Sequence, residues 1–277
     1  MIKKKVLICT PAHNGKLQVS YTLGCLDLLR NNELSEAKKD YSFDWFFMEF
    51  ASDIMKARNS MFWNWYNTTE HDYLLFIDSD EGFNAKTVKE LLDNTEDFEI
   101  SGAPVPLKNI NSNRILEWVG VEFQNNESSV IDSLDMLPSG YDYNYVVDKN
   151  EAVDSRFNYV EKMGTGFMLI PRKVAQILID YYDTNPSDEL PIYIDKKTNR
   201  KVYSFFSHIV KNGMLLGEDY SFCARVREAG IPIKVDTSLN ISHHGTFVWE
   251  GNVQAKKRHE KLKAKINQNI ALKTLEK

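Results

Sequence analysis

A short apolar run that ends in two carboxylates, Tyr73-Leu74-Leu75-Phe76-Ile77-Asp78-Ser79-Asp80, most constrains how this chain can fold. The apolar part has the length and composition of a buried strand. Each acid must stay solvated, paired or metal-bound, because an isolated charge in a core is costly. The run therefore predicts a core strand that ends at an open sheet edge, where an acid pair can hold a divalent cation against a phosphate-bearing ligand.

Strand and helix patterns alternate through the first half of the chain. Strands are predicted at residues 6–9, 44–50, 73–80 and 99–103, and helices at 17–29, from a cap at Ser52 or Asp53, and at 85–92 after a cap at Asn84. The helix after residue 53 has apolar positions Ile54, Met61, Phe62 and Trp65 at helical spacing. This alternation predicts an α/β fold with a mostly parallel central sheet flanked by helices.

The second half is less regular. Residues 124–159 are polar and tyrosine-rich, and we interpret them as an excursion over the active-site face. Later elements are a strand at 167–170 with Pro171 in the first turn of the next helix, a helix from Gly217-Glu218-Asp219 to Gly230, and strands at 231–235 and 239–243. From Ala255 a lysine-rich helix with Leu262, Ile266 and Ile270 at i+4 steps is predicted; its basic face is either solvated or a peripheral membrane contact.

Composition limits the class of function. A net charge of -5 gives no support for nucleic-acid binding. The cysteines Cys9, Cys25 and Cys223 have no paired spacing, which argues against a disulfide scaffold and a zinc site and fits a reducing compartment. No run has the length of a transmembrane segment or a signal peptide, so we expect a cytoplasmic enzyme or binding protein.

The acid pair is the first candidate site. Strand alternation predicts that Asp78 and Asp80 point to the same side, with Ser79 opposite, so that both could approach one ligand. The alternative is a polar strand end at which Asp80 caps a turn.

Arg58 is the second candidate, because its position four residues after Ile54 and three before Met61 puts it on the apolar face of its helix. A guanidinium there needs an anionic partner. That partner is either a core carboxylate in a structural ion pair, or a nucleotide diphosphate or the acid pair.

Glu218 and Asp219 begin a later helix. Helical spacing groups Asp219 with the inward positions Phe222, Cys223 and Val226, and directs Glu218 sideways toward Arg225. Glu218 suits charge pairing at a helix start. An inward carboxylate such as Asp219, preceded by a glycine, is a candidate general base.

His243 and His244 complete the set. Alternation with Leu239 and Ile241 predicts that His243 points inward and His244 away. An inward histidine is either a satisfied core residue or a metal ligand. A mixed aspartate and histidine shell would suit manganese or magnesium.

The order of these motifs resembles the GT-A glycosyltransferases, nucleotide-sugar-dependent enzymes built on a Rossmann-like sheet. The resemblance covers roughly residues 5–250 and rests on four motifs in sequence order: the first strand with Thr10-Pro11-Ala12, Asp78-Ser79-Asp80, Gly217-Glu218-Asp219, and His243-His244-Gly245. It implies a catalytic domain over residues 1–250, with a nucleotide-binding half to about residue 110 and an acceptor half after it, and a basic helical tail over 251–277.

The resemblance also implies roles for single residues. Asp80 would ligate Mn2+ or Mg2+ at the diphosphate, with Asp78 near the ribose and the metal and with His243, or else His244, completing the shell. The nucleotide-sugar donor would contact Thr10, Pro11, Ala12, Arg58, Asp78, Ser79, Gly166 and Trp249. Asp219, beside Glu218, would act as the base of an inverting transfer to a hydroxyl of a glycan, glycolipid or glycoprotein, with UDP favoured over GDP in the donor.

Three alternatives stay open on the sequence. A retaining glycosyltransferase of the same fold carries similar acids. A nucleotidyltransferase also combines a Rossmann-like sheet with metal-binding acids, but residues 10–16 hold only one glycine and one lysine, unlike the usual phosphate loop. The third alternative is a non-catalytic sugar- or nucleotide-binding module.

Overall fold

A computed structural model describes residues 3–34, 41–108, 143–145, 156–196, 198–245, 248–250 and 252–254, and single positions between 257 and 268. The helices are α1 (Val19–Leu34), α2 (Ile54–Thr68), α3 (Ala85–Asp93), α4 (Arg172–Thr184) and α5 (Glu218–Glu228). The first strands are β1 (Lys4–Ala12), β2 (Tyr41–Glu49), β3 (Tyr73–Ile77), β4 (Glu81–Gly82), β5 (Ile100–Gly102), β6 (Tyr143–Tyr145), β7 (Phe157–Met163) and β8 (Phe167–Pro171). The later strands are β9 (Ile192–Asp195), β10 (Arg200–Tyr203), β11 (Val210–Lys211), β12 (Met214–Leu215), β13 (Ile233–Asp236), β14 (Ser242–His244) and β15 (Val248–Glu250).

Eight strands form the central sheet, in the order β2-β1-β3-β8-β5-β13-β7-β6. All of them except β7 and β8 run in the same direction, as the strand pairings show. The predicted α/β class with a mixed, mostly parallel sheet flanked by helices is therefore confirmed. The parallel strands β2, β1 and β3 are adjacent, so their carboxyl ends meet at one edge of the sheet.

The helix caps follow the sequence closely. Asp53 caps α2 by accepting a hydrogen bond from the Lys56 amide at 3.1 Å, and Asn84 caps α3 by accepting one from the Thr87 amide at 2.9 Å. Met61, Phe62 and Trp65 on α2 are buried as predicted. Ile54 is not, since it is 36% exposed at the first position of the helix.

The core has two parts. One contains Phe62, Trp65 and Phe206, and the other contains Tyr21, Val88 and Leu91. Strand β3 contributes alternate residues to the two parts, Leu74 and Phe76 to the first and Leu75 and Ile77 to the second. Burial on both faces explains why β3 reads as a continuous apolar run.

Several predicted boundaries are wrong. Strand β1 runs on to Ala12, so the polar loop begins at His13 rather than Thr10, and β3 ends at Ile77, before the acid pair. The hairpins β9–β10 and β11–β12 were not predicted. Most of the predicted excursion at 124–159 lies outside the described residues, as do Leu262, Ile266 and Ile270; the described positions of the C-terminal segment from 253 to 268 are helical. No helix in the described ranges is long and apolar enough to cross a membrane.

Candidate functional site

The acid pair lies in a turn and not on a strand. The Glu81 amide donates to the Asp78 carbonyl at 3.1 Å, and the amide of Gln18, the residue before α1, donates to the Ser79 carbonyl at 2.9 Å, which fixes the turn to this segment. The acid pair lies beyond the end of β3 at Ile77, so the strand alternation from which a shared side was predicted does not extend to it. Because the backbone turns between them, the side chains of Asp78 and Asp80 have different partners.

Asp80, Glu81 and His243 form the candidate metal centre, with one potential ligand atom of each within 4.8 Å of the others. His243 Nε2 lies 3.7 Å from Asp80 Oδ2 and 3.5 Å from Glu81 Oε1. The antiparallel pairing of β14 with β4 sets His243 opposite Glu81. This close pairing needs Gly82, where an added Cβ would lie 2.2 Å from Ser242 Oγ.

His243 is oriented for ligation by a neighbouring backbone group. Its Nδ1 lies 2.7 Å from the Pro106 carbonyl oxygen. Because a carbonyl can only accept, Nδ1 carries the proton of this hydrogen bond, which leaves Nε2 facing Asp80 and Glu81 as the ring atom that would ligate a cation. Such an outer hydrogen bond is the usual way in which a metal-binding histidine is held.

His244 is held elsewhere. Its Nε2 lies 2.8 Å from Ser242 Oγ, and its amide donates to the Asp80 carbonyl at 2.8 Å. Burial lowers the pKa of His244, and the neighbouring His243 lowers it further, so the ring is neutral at pH 7. Of the two histidines, the structure places His243 beside the acids.

Asp80 is ionised at neutral pH. Burial acts to raise its pKa, but the nearby His243 ring and the hydrogen-bonded Lys108 ammonium outweigh burial and lower the pKa to about 2. The Lys108 ammonium contacts Asp80 Oδ2 directly. Asp80 therefore carries a negative charge and is already paired with the positively charged Lys108.

The donor set fits manganese or magnesium. Two carboxylates and one imidazole are hard and intermediate ligands of the kind these ions accept. Glu81 is 1% exposed. The free-energy cost of burying a carboxylate is lower beside a cation than without one.

Arg58 links Asp78, which follows β3, to Glu218 at the start of α5. It is 3% exposed, its Nη2 donates to both oxygens of Asp78 at 3.1 Å, and its Nε donates to Glu218 Oε1 at 3.4 Å. Burial lowers the pKa of Arg58, but the surrounding carboxylates raise it more, so the net shift is upward. The acid pair was one of the partners that the sequence left open for Arg58.

The start of α5 lies on the Arg58 side of the site. Glu218 binds Arg58 and does not point toward Arg225, as had been expected. Arg225 instead donates to backbone carbonyls, including those of Phe205 and Ser207. Asp219 is half-buried, accepts a hydrogen bond from the Tyr220 amide at 2.7 Å, and is close enough to Arg58 to raise its pKa.

Thr10, Pro11 and Ala12 are buried in β1. The Thr10 hydroxyl lies 2.6 Å from the Tyr21 hydroxyl, so it is already engaged inside the protein. The surface of this region consists of residues 13–15 and Phe50. A ligand at this edge would meet those residues before the buried strand end.

Phe50 is an exposed aromatic residue held in an unusual conformation. It has φ 53° and is 71% exposed at the end of β2. A bulky residue with positive φ is strained and suggests a functional constraint. Its ring covers Gly15, whose φ is 68° and where an added Cβ would lie 3.2 Å from the ring. Phe50 thus offers a flat apolar surface beside the loop after β1.

Two further predicted residues border the metal centre. An added Cβ at Gly166 would lie 3.1 Å from Glu81 Oε1 and 3.5 Å from Asp78 Oδ2, so this glycine leaves room between the acids. Trp249 lies on β15, paired with His243, and is half-buried. The Ser79 carbonyl accepts the hydrogen bond from the Gln18 amide.

A cavity of about 410 Å³ is lined in part by Gly82 of β4 and Ser242 of β14. Its polar lining comes from amide, hydroxyl and carboxyl side chains: Ser20, Asn84, Asn240, Ser242, Glu250 and Asn252. Gly82 and Ser242 border both this cavity and, through their neighbours Glu81 and His243, the metal centre.

Sequence reasoning missed Glu81, Lys108 and Phe50. Glu81 directly follows the acid pair, and its signal was the unbroken run of polar residues after Ile77. Lys108 and Phe50 gave no local signal, because their roles depend on contacts with Asp80 and Gly15 that only the fold creates.

No known family model matches this chain, and no curated protein sequence matches it. Among solved structures, A197 from STIV is similar, with 14% identity, a TM-score of 0.46, and coverage of 90% of this chain and 94% of that one. Glucosyl-3-phosphoglycerate synthase from Mycobacterium tuberculosis, in complex with Mg2+ and UDP, is similar with 13% identity, a TM-score of 0.30, and coverage of 65% and 66%. At these values neither likeness assigns a family or an activity to this chain.

Proposed function

We propose that this protein is a metal-dependent glycosyltransferase of the GT-A type. The observation that carries the proposal is the cluster of Asp80, Glu81 and His243 beside the Arg58–Asp78 pair, at the edge where parallel strands end. Ligands of α/β proteins bind at this edge. The donor would be a nucleotide sugar, with UDP favoured, and the acceptor a hydroxyl group of a glycan, glycolipid or glycoprotein.

The charges of the site suit a diphosphate held through a cation. The site contains five carboxylates, those of Asp78, Asp80, Glu81, Glu218 and Asp219. Arg58 and Lys108 supply two positive charges, so negative charge remains in excess. A divalent cation held by Asp80, Glu81 and His243 would neutralise the charge that develops on the leaving diphosphate.

The residues of the chain then have separate tasks. Arg58 fixes Asp78, whose carboxylate can accept a hydrogen bond from a ribose hydroxyl. Phe50 can stack on the planar base beside residues 13–15. Asp219 accepts the proton of the acceptor hydroxyl, while Glu218 is held by the guanidinium of Arg58.

The lining of the cavity beside Gly82 and Ser242 is compatible with a sugar substrate. Its amide, hydroxyl and carboxyl groups can exchange hydrogen bonds with sugar hydroxyls, and Phe83 adds an aromatic surface. Glycan units of the donor or acceptor are the ligands that this lining would suit.

A donor screen tests the function directly. Thermal melting with Mn2+ and single nucleotide sugars should reveal one donor that stabilises the protein by mass action, by about 2.7 kcal/mol at a hundredfold excess over its Kd. The same donor should release its nucleoside diphosphate when an acceptor is added. Stabilisation without release across donors and acceptors would indicate a binding module. Release of pyrophosphate in a separate assay with a nucleoside triphosphate and a sugar 1-phosphate would indicate a nucleotidyltransferase.

Asp219→Asn should lower kcat by about a hundred- to ten-thousand-fold, the usual contribution of a general base, with little change in donor binding. The product should have the inverted anomeric configuration by NMR. Glu228→Gln, another carboxylate of α5 that binds Tyr182 at 2.9 Å, is the matched control and should keep its activity. A retained configuration, or an Asp219→Asn variant with normal kcat, would remove Asp219 as the base.

A further inference from the structure

The Lys108 ammonium is paired with Asp80, one of the three candidate metal ligands. Its ammonium contacts Asp80 Oδ2, the same oxygen that lies 3.7 Å from His243 Nε2 in the metal centre. Lys108 and Asp80 are each about one-third exposed, at 30% and 33%, so the pair can open toward solvent without unfolding the core.

The segment that carries Lys108 is fixed to the metal centre at a second point. The Pro106 carbonyl, two residues earlier, holds His243 Nδ1 at 2.7 Å. The aliphatic part of Lys108 passes Gly245, where an added Cβ would lie 3.5 Å from Lys108 Cδ. The ammonium group is therefore tethered within reach of the site even when it leaves Asp80.

We propose that Lys108 is an exchangeable internal cation: it occupies Asp80 in the metal-free protein, leaves when a divalent cation binds there, and then contacts a phosphate of the ligand. The inference rests on the cation site of the proposed function. A monovalent ammonium and a divalent ion compete for the same carboxylate oxygen and repel each other. A lysine has three donors on a flexible stem, which suits exchange between a carboxylate and a phosphate.

Exchange predicts opposite effects on two ligands when the ammonium is removed. Lys108→Met keeps most of the stem and should bind Mn2+ about tenfold more tightly, because no internal cation has to be displaced. At saturating Mn2+ the same variant should bind UDP about tenfold more weakly, because one phosphate contact is lost. A merely structural lysine would weaken both ligands together.

The experiment measures Mn2+ binding by electron paramagnetic resonance and UDP binding by calorimetry on the full chain. Lys108→Arg should restore weak Mn2+ binding, since it keeps the charge. Lys86→Met on α3, whose side chain is 83% exposed, removes the same charge at the surface and should change neither affinity. Thermal melting shows whether each variant is folded.

The outcomes separate this proposal from the function. Equal Mn2+ affinity in the wild type and Lys108→Met, or weaker binding in the variant, overturns the exchange and leaves the cation site intact. Unchanged UDP affinity in Lys108→Met overturns the phosphate contact and, with it, the proposal as stated. If neither protein binds Mn2+, with or without UDP, both the exchange and the proposed cation site are overturned.

Discussion

Replacing Asp80 with asparagine should remove Mn2+ binding and lower sugar transfer at least about a hundredfold, since even outer partners of metal ligands contribute 10- to 100-fold in affinity or activity. Asp80 is ionised at neutral pH, because contacts with His243 and Lys108 lower its pKa to about 2. An amide oxygen is a weaker ligand and carries no charge for the cation. Paramagnetic resonance of Mn2+ and donor turnover measure the two losses separately.

The control for this substitution is Asp97→Asn, which neutralises a carboxylate that pairs with Lys4 at 3.5 Å on the surface. It should change neither Mn2+ binding nor turnover, because the Lys4–Asp97 pair is not part of the candidate site. It should also leave the protein folded, since an exposed ion pair contributes only about 0–1 kcal/mol to the free energy of unfolding. Asp80→Asn itself should remain folded in a thermal melt, as its side chain is one-third exposed. Full Mn2+ affinity in Asp80→Asn would exclude this residue from the metal centre.

Replacing Arg58 with methionine should have the largest effect on stability. Arg58 is 3% exposed, and its loss would leave the partly buried carboxylates of Asp78 and Glu218 without their shared partner. Removal of one member of a buried ion pair costs about 3–5 kcal/mol, and the partial exposure of the two acids favours the lower end. At about 2–4 °C per kcal/mol, Tm should fall by roughly 6–12 °C.

A second substitution tests the cause of that loss. The double variant Arg58→Met/Glu218→Gln replaces one of the two carboxylates left without a partner by a neutral amide, so part of the lost stability should return. The coupling energy between the two positions, measured in a double-mutant cycle, should exceed about 0.5 kcal/mol. Arg58→Lys keeps the charge but cannot donate to both acids in the same geometry, so its stability should be intermediate. An unchanged Tm in Arg58→Met would show that the ion pairs of Arg58 with Asp78 and Glu218 do not stabilise the fold.

Local sequence patterns predicted those elements that depend on nearest neighbours. The cap at Asn84, the buried face of α3 and the apolar strand β3 were predicted correctly. The reason is that the types and spacing of a few neighbouring residues determine a cap or a buried face. Arg58 was identified in the same way, from its place on the apolar face of α2. Strand ends were less accurate, since the last residues of a strand depend on pairing with another strand.

The acid pair shows where local reasoning failed. Alternation holds only while the backbone stays extended, and the chain turns after Ile77. Asp78 and Asp80 therefore have different partners, and the second acid of the candidate metal centre is Glu81, not Asp78. The turn is fixed by a contact with Gln18 of a distant segment, which no local pattern reports.

By itself, the sequence determined that an apolar strand delivers carboxylates to a sheet edge, that Arg58 needs an anionic partner, and that histidines follow near the end of the domain. The tertiary structure alone decided which of these residues meet. The pairing of β14 with β4 sets His243 opposite Glu81, and the segment after β5 brings Pro106 and Lys108 to the same site. The physical reason is that side-chain types and helix or strand periods are local properties. The convergence of charges from distant segments is instead fixed by strand register and core packing, which arise only when the whole chain folds.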